Sequence, residues 1–324
     1  MVNKKALLII NPVSGTRSKR GLDKFVSDRL APFGIETSVF RTAGQGDAFE
    51  KAREAAREGF DMVITAGGDG TVNEAANGIA FSDTVLGILP FGSGNGLART
   101  IGLPLDTYEA LKIIAHGHVL KSDRGMANDK PFYCTCGVGF DANVSEKFAS
   151  MKKRGKISYI RSAIREYLSY RSRPYAIEIQ GKIITEKAFL VAICNATQYG
   201  NNAYIGPKAK LTDGLLDITL VHSDNTLSTM VMVMDLMTGI IDKNKSIDTF
   251  QTPEATIVRI DDGPLHLDGE PIHMGKKIHI KCEPEALNIF APEKEVKFRP
   301  FISPFRAMLD DVIFDMFGKF RQFD

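Results

Sequence analysis

The 324-residue chain has no tryptophan and only four cysteines, Cys134, Cys136, Cys194 and Cys282. These are too few and too scattered for a disulfide framework, and they cannot complete a zinc ribbon, so reduced, buried thiols and a cytoplasmic setting are expected. An excess of either charge is also absent. Lys plus Arg (41) against Asp plus Glu (39) leaves +2, so no global field draws the chain to nucleic acid. No apolar run approaches the roughly 18 residues that a membrane-spanning helix needs. Ala6–Ile10, behind Lys4 and Lys5, is too short for the apolar core of a signal peptide.

Several catalytic signatures are missing. There is no Gly-x-x-x-x-Gly-Lys-Ser/Thr and no Gly-x-Gly-x-x-Gly, which excludes a standard phosphate loop and the usual dinucleotide fingerprint. Gly137-Val138-Gly139-Phe140-Asp141-Ala142 comes nearest to the second, but no ordered βαβ unit surrounds it, so it reads as a tightly packed strand. No helical His pair accompanies an acid, which argues against a zinc hydrolase. His116-Gly117-His118 reads as a turn.

What the chain does have is alternation. Over the first 125 residues, apolar runs (Ala6–Ile10, Thr37–Phe40, Met62–Thr65, Val85–Leu89, Val119–Lys121) alternate with helix patterns. The helices are expected from about Arg17 to Phe33, over Asp47–Glu58, Val72–Ile79 and Tyr108–His116. Repeated βα units of this length imply a doubly wound parallel sheet with helices on both faces. Beyond Asp123 the rhythm changes. Tyr133–Phe140, Tyr175–Ile179, Ala188–Cys194, Leu215–Val221, Thr256–Ile260 and Lys277–Lys281 read as strands of a β-rich, antiparallel, sandwich-like second domain. Helices are expected near Ser145–Arg171 and Leu227–Ile240.

Three loops of the first domain follow strand ends, where such sheets bind ligands. They are Asn11-Pro12-Val13-Ser14-Gly15, Gly67-Gly68-Asp69-Gly70-Thr71-Val72-Asn73-Glu74 and Phe91-Gly92-Ser93-Gly94-Asn95-Gly96-Leu97. Glycine permits close approach, and a helix N-terminus attracts anions. Three such loops in successive crossings of one sheet point to a polyphosphate at their shared rim. Asp69, flanked by glycines, is expected to expose its carboxylate there. It could bind Mg²⁺, accept a proton from a hydroxyl or cap the next helix, although Thr71 is better placed for the cap.

In order, these three loops, with Asp123-x-Gly125, Gly137-x-Gly139-Phe140-Asp141, Thr212-Asp213-Gly214-x-Leu216-Asp217 and Leu267-Asp268-Gly269-Glu270, resemble the catalytic family of diacylglycerol and sphingosine kinases. The resemblance covers roughly residues 5 to 292. It implies a lipid kinase that moves the γ-phosphoryl group of ATP, with Mg²⁺, to the hydroxyl of a membrane lipid. It places ATP against Asn11, Pro12, Ser14, Gly15, Thr42, Gly67, Gly68, Asp69, Gly70, Thr71, Asn73, Glu74, Ser93, Gly94 and Asn95. Asp69 would be the base or metal ligand at the acceptor hydroxyl and Glu270 a second catalytic acid. A structural Mg²⁺ would be held by Asp213 with the carbonyls of Lys210 and Leu215. One departure stands out. Where bacterial diacylglycerol-type members usually carry Thr-Thr-Asn-Asp, this chain has Ser93-Gly94-Asn95-Gly96, closer to the sphingosine type. Both lipid classes stay open. Asp123 and Asp141 become candidates on the acceptor side, though each also reads as a turn cap at a strand end.

Between Lys147 and Arg173 stand nine basic residues and one acid, Glu166. Such a stretch suits the anionic lipids of an inner membrane face, or simply a solvated helix face. RNA is disfavoured because no aromatic stacking platform accompanies it. At the end of the chain, Phe305, Met308, Leu309, Val312, Ile313, Met316, Phe317 and Phe320 describe an amphipathic helix. It could dock on the body, pair with a second copy in a homodimer or lie in a membrane interface. The expected organisation is an α/β nucleotide domain over 1–124 with a return segment at 284–296, a β-rich lipid domain over 125–283 and a terminal helix over 297–324, with the active site between the domains. A lipid-binding or regulatory protein without turnover, or an NAD-kinase-like enzyme, are the alternatives.

Overall fold

The computed structural model describes residues 4–15, 17–149, 170–222, 235, 238–241, 244–294 and 298–317. The chain divides into two compact units. One comprises Met1–Ser122, Glu285–Lys297 and Phe305–Asp324, the other Asp123–Pro284 and Phe298–Pro304.

In the first unit, β1 (Lys4–Ile10), β2 (Ile35–Arg41), β3 (Met62–Gly67) and β4 (Val85–Pro90) form a parallel sheet in the order β2-β1-β3-β4. Between them run α1 (Leu22–Leu30), α2 (Asp47–Arg57) and α3 (Asp69–Ile79), and after β4 come the short α4 (Gly96–Thr100) and α5 (Thr107–His116). Side chains alternate across a strand. Ala6, Leu8 and Ile10 therefore join Met62, Ile64 and Ala66 in a core closed by Leu22, Val26 and Leu30 of α1 and by Ala110, Leu111 and Ile114 of α5. Leu7, Ile9 and Val63, on the other face, are buried as well. There α2 presents Ala48, Ala52 and Ala55, small enough for α3 to lie close against it. Burial on both faces is why these strands read as unbroken apolar runs.

The second unit holds β5 (Val119–Ala127, from Asp123), β6 (Lys130–Phe132), β7 (Thr135–Gly139), α6 (Phe140–Ala149), β8 (Arg173–Ile179), β9 (Lys182–Ala188), β10 (Leu190–Cys194), β11 (Leu216–Val221), β12 (Ile247–Thr252), β13 (Glu254–Arg259), β14 (Gly263–Leu267), β15 (Glu270–Met274) and β16 (Lys277–Phe290, to Pro284). One antiparallel sheet runs β12-β11-β10-β7-β14-β15 and the other β16-β13-β8-β9. Alternate residues such as Cys136, Val138, Val191, Ile193, Ile177, Ile257, Ile278 and Ile280 point into one shared core. That period-two burial defines a sandwich. The last residues of β16 belong to the first unit, where Ile289 pairs in parallel with Leu86 of β4. A terminal helix, α7, spans Ile302–Phe317.

The fold class is as the sequence implies, with local differences. The first helix begins only at Leu22 because Gly21, at φ 78°, breaks the path and Arg17 and Lys19 are held by carbonyls of neighbouring loops. Phe140 opens α6 instead of ending a strand. The β14–β15 hairpin was not expected, since Pro264, His266, Pro271 and His273 interrupt the apolar alternation that announces strands. Of the expected helix near Ser145–Arg171, α6 reaches Ala149. Most of its remainder, most of the basic stretch and most of Leu227–Ile240 lie outside the described residues, while Tyr170 and Arg171 are not helical. No helix among the described residues is long and apolar enough to cross a membrane.

Candidate active site

In the order β2-β1-β3-β4 the chain reverses its winding direction between β1 and β3, and an open α/β sheet binds ligands at the carboxyl ends on either side of that reversal. The loops after β1, β3 and β4 converge there. A Cβ on Gly92 would lie 2.6 Å from the Gly68 Cα, and a Cβ on Gly15, which sits at φ +65°, would strike the Phe91 carbonyl oxygen. Only glycine allows these three turns to touch.

Polar side chains lock the turns. Asn11 donates from Nδ2 to Thr71 Oγ1 at 3.0 Å and accepts the Val13 N–H on Oδ1 at 3.1 Å. Asn95, at φ 52°, accepts the Gly92 N–H at 2.9 Å and donates to the Gly92 carbonyl at 2.8 Å. Thr71 and Asn95 are buried, so these groups shape the loops from beneath. Glu74 takes the Gly46 and Ala48 N–H groups at 2.9 and 3.2 Å and so caps α2. Asn73 accepts from Asn77 at 2.9 Å. The side chains of Asn11, Thr71, Asn73, Glu74 and Asn95, expected at the nucleotide, thus all have partners within the protein. Pro12 and Ser93 are exposed, and Ser14, Thr42, Gly68 and Gly70 partly so, while Gly67 is buried at the end of β3.

Asp69 is half-buried at the start of α3. Its Oδ2 accepts the Asn95 N–H at 2.9 Å and its Oδ1 the Gly96 N–H at 2.7 Å. The carboxylate caps the next helix, α4, from across the rim, which corrects the expectation of a simply exposed acid. Thr71 does not cap α3. The N-cap of α3 is Gly68, which brings no side chain to its first turn, leaving that helix end suited to an anion.

Two cations that the sequence reading passed over lie beneath the loops. Lys19 donates to the Ser14 carbonyl, and Arg17 to those of Pro90 and Leu105. Both charges face the Phe91 ring, at 4.9 and 4.2 Å from its centroid. Burial, opposed by Asp106, lowers the Arg17 pKa to about 10; burial and then the Arg17 charge lower that of Lys19 to about 8. Neither forms an ion pair among the described residues. Buried positive charge is costly without a counter-charge, and a bound anion supplies one. The signal available in the sequence was their position directly after Ser14-Gly15.

In the second unit, Glu270 follows the two-residue turn Asp268-Gly269, whose φ values of 50° and 87° suit a tight hairpin. Asp268 fixes that turn by accepting N–H groups of Tyr133, Cys134 and Thr135 at 2.7–2.9 Å. Glu270 itself is exposed. Asp123 is buried, accepts the Gly214 N–H at 2.7 Å and holds the 211–215 loop; Asp141 accepts from Tyr199 and His266 at 2.9 and 3.0 Å. Both carboxylates therefore take part in local hydrogen-bond networks, as their reading as turn caps implies. Gly137 makes room for that network, since a Cβ there would lie 2.6 Å from His266 Nε2. Asp213 is exposed, with the Leu215 N–H on its Oδ1 at 3.1 Å. No cluster of three or more His, Cys, Asp or Glu side chains stands ready for a metal among the described residues. The set proposed for Mg²⁺, one carboxylate with the Lys210 and Leu215 carbonyls, is all hard oxygen and fits that ion in kind. Asp123 and Asp213 add negative charge at the same loop: after burial, they and Glu283 push the Cys282 thiol up to about 12. No cysteine is in a disulfide, and burial likewise raises Cys136 and Cys194.

Glycine turns meeting at the switch point of an α/β sheet, over buried cations and beside a carboxylate, are the equipment of a phosphotransferase. Residues 5–127 match the family model for the diacylglycerol kinase catalytic domain, and residues 134–291 that for the YegS C-terminal NAD kinase beta sandwich-like domain. A probable lipid kinase YegS-like from Chromohalobacter salexigens is 31% identical over 271 residues, 82% of this chain and 87% of that one. A diacylglycerol kinase from Bacillus subtilis is 31% identical over 227 residues, 68% and 75% of the two chains. The crystal structure of a candidate diacylglycerol kinase from Bacillus anthracis superposes with TM-score 0.77 at 28% identity, covering 90% of this chain and 97% of that one. The chain belongs to the diacylglycerol kinase family of lipid kinases, phosphotransferases with an alcohol as acceptor.

Proposed function

We propose that this lipid kinase transfers the γ-phosphoryl group of ATP, in the presence of Mg²⁺, to a hydroxyl of diacylglycerol or a sphingoid base. The observation that carries the reading is the contact of the three glycine turns around Asp69, with Arg17 and Lys19 beneath. The triphosphate lies along the turns and meets the N-terminus of α3. The lipid oxygen attacks the γ-phosphorus, the bond from that phosphorus to the β,γ-bridging oxygen breaks, ADP leaves, and Asp69 accepts the hydroxyl proton. Glu270, set by the Asp268-Gly269 turn, is the second acid. Lys210, Asp213 and Leu215 would hold a Mg²⁺ that braces the loop they share, the ion supplying charge neutralisation there. The basic stretch Lys147–Arg173 draws the enzyme to anionic lipid on an inner membrane face, each basic residue adding about 1 kcal/mol.

Incubation with γ-labelled ATP, Mg²⁺ and a panel of diacylglycerols, sphingoid bases and ceramides, with NAD as a further acceptor, tests this. Label should enter one of the first two classes. Label in none of these lipids would favour a protein without turnover, and label in NAD an NAD-kinase-like enzyme.

A further inference from the structure

The helix α7 lies beyond residue 291, where the second family model ends, so the catalytic family alone does not account for it. One side of it is tied down within the first unit. Asp311 accepts from Arg99 of α4 at 2.8 Å in a largely buried pair, and Phe314 stands 4.9 Å from the Arg17 guanidinium. The opposite side is bare. Ile302, Phe305, Met308, Leu309 and Val312 are 47–63% exposed, and their spacing puts them on one arc of the helix. Because the inner side is anchored, the stripe cannot roll inward to hide.

We propose that this stripe is a docking surface for a lipid bilayer, resting on the lipid-kinase reading above. Area favours the bilayer over a second copy of the chain. Five such half-exposed side chains offer on the order of 500 Å², given ~150–250 Å² for a whole aromatic, while a stable interface takes roughly 800 Å² from each partner. A bilayer makes no such demand, since an amphipathic helix lies flat in it about 5–10 Å deep. The charge of α7 sets the kind of lipid. Its one basic residue, Arg306, stands against Asp310, Asp311 and Asp315, so the seat is apolar and accepts zwitterionic lipid, unlike the basic stretch. Arg99 also donates from Nε to the Gly94 carbonyl at 3.1 Å, so the anchor of the helix reaches the third glycine loop.

The test uses the full chain and phosphatidylcholine vesicles, comparing the wild type with the double variant Phe305→Ser/Leu309→Ser, whose changes fall on exposed positions. The wild type should co-sediment with little dependence on salt. The variant should bind on the order of tenfold to a hundredfold more weakly, with unchanged turnover of a short-chain diacylglycerol dissolved as monomers. Equal binding by both proteins, or none by the wild type, would overturn the proposal. So would a wild-type dimer in sedimentation equilibrium that the variant dissolves. The two readings fail separately, because absent turnover of any acceptor in both proteins counts against the kinase reading while the vesicle comparison still decides the surface.

Discussion

Replacing Asp69 with Asn separates what this acid does for the fold from what it does for the reaction. Each carboxylate oxygen accepts one backbone N–H, from Asn95 at 2.9 Å and from Gly96 at 2.7 Å. An amide keeps one acceptor and turns an NH₂ group toward the other N–H. Leaving that donor unsatisfied costs about 1–3 kcal/mol, and loss of negative charge at the α4 N-terminus costs about 0.3–1 kcal/mol more. At about 2–4 °C per kcal/mol for a domain of 150–250 residues, Tm should fall by roughly 3–15 °C while the protein still folds. A general base contributes on the order of 10²–10⁴-fold to the rate, so kcat should drop by that factor. Circular dichroism melts and labelled-ATP turnover on the same preparation measure both. A lowered Tm with kcat within twofold of wild type would mean that Asp69 is only a helix cap, and the proposed mechanism would fail.

Lys19 gives a pH signature. With its pKa at about 8, its amine is mostly charged at pH 7 and mostly neutral at pH 9. If that charge serves the triphosphate, KM for ATP should rise across this window in the wild type and stay flat in Lys19→Arg; a flat wild-type profile would refute the role. The stability effect has the opposite sign. The folded pKa lies below the ordinary lysine value of 10.5, so the unfolded chain binds the proton more readily and Lys19 contributes more stability as pH rises from about 8 to 10.5. Asp268→Ala removes the acceptor of three N–H groups and should cost about 3 kcal/mol or more in urea unfolding, with turnover reduced through the displaced Glu270. A loss under about 1 kcal/mol would show that the turn holds without it.

Much of the fold was legible because its causes are local. Strands buried on both faces, such as Leu7–Ile10 and Met62–Ala66, announce themselves as apolar runs, and the glycine loops after them mark their carboxyl ends. The hairpin that carries Glu270 was not legible, because its pairing depends on Asp268 reaching N–H groups about 135 residues earlier in the chain. Arg17 and Lys19 looked like ordinary helix surface until Phe91 and the carbonyls of Ser14 and Pro90 were brought around them.

The amino-acid sequence by itself determined the βα rhythm, the three glycine turns, the acid among them and the family, because backbone freedom and apolar periodicity belong to residues and their near neighbours. Only the tertiary structure decided which partner each polar group of these loops takes. Glu74 caps a helix beginning 27 residues earlier, Asn95 closes its own loop and Asp123 anchors a loop about 90 residues on. A carboxylate or amide satisfies whatever donor the folded chain sets beside it, and that neighbour is a property of the packed molecule.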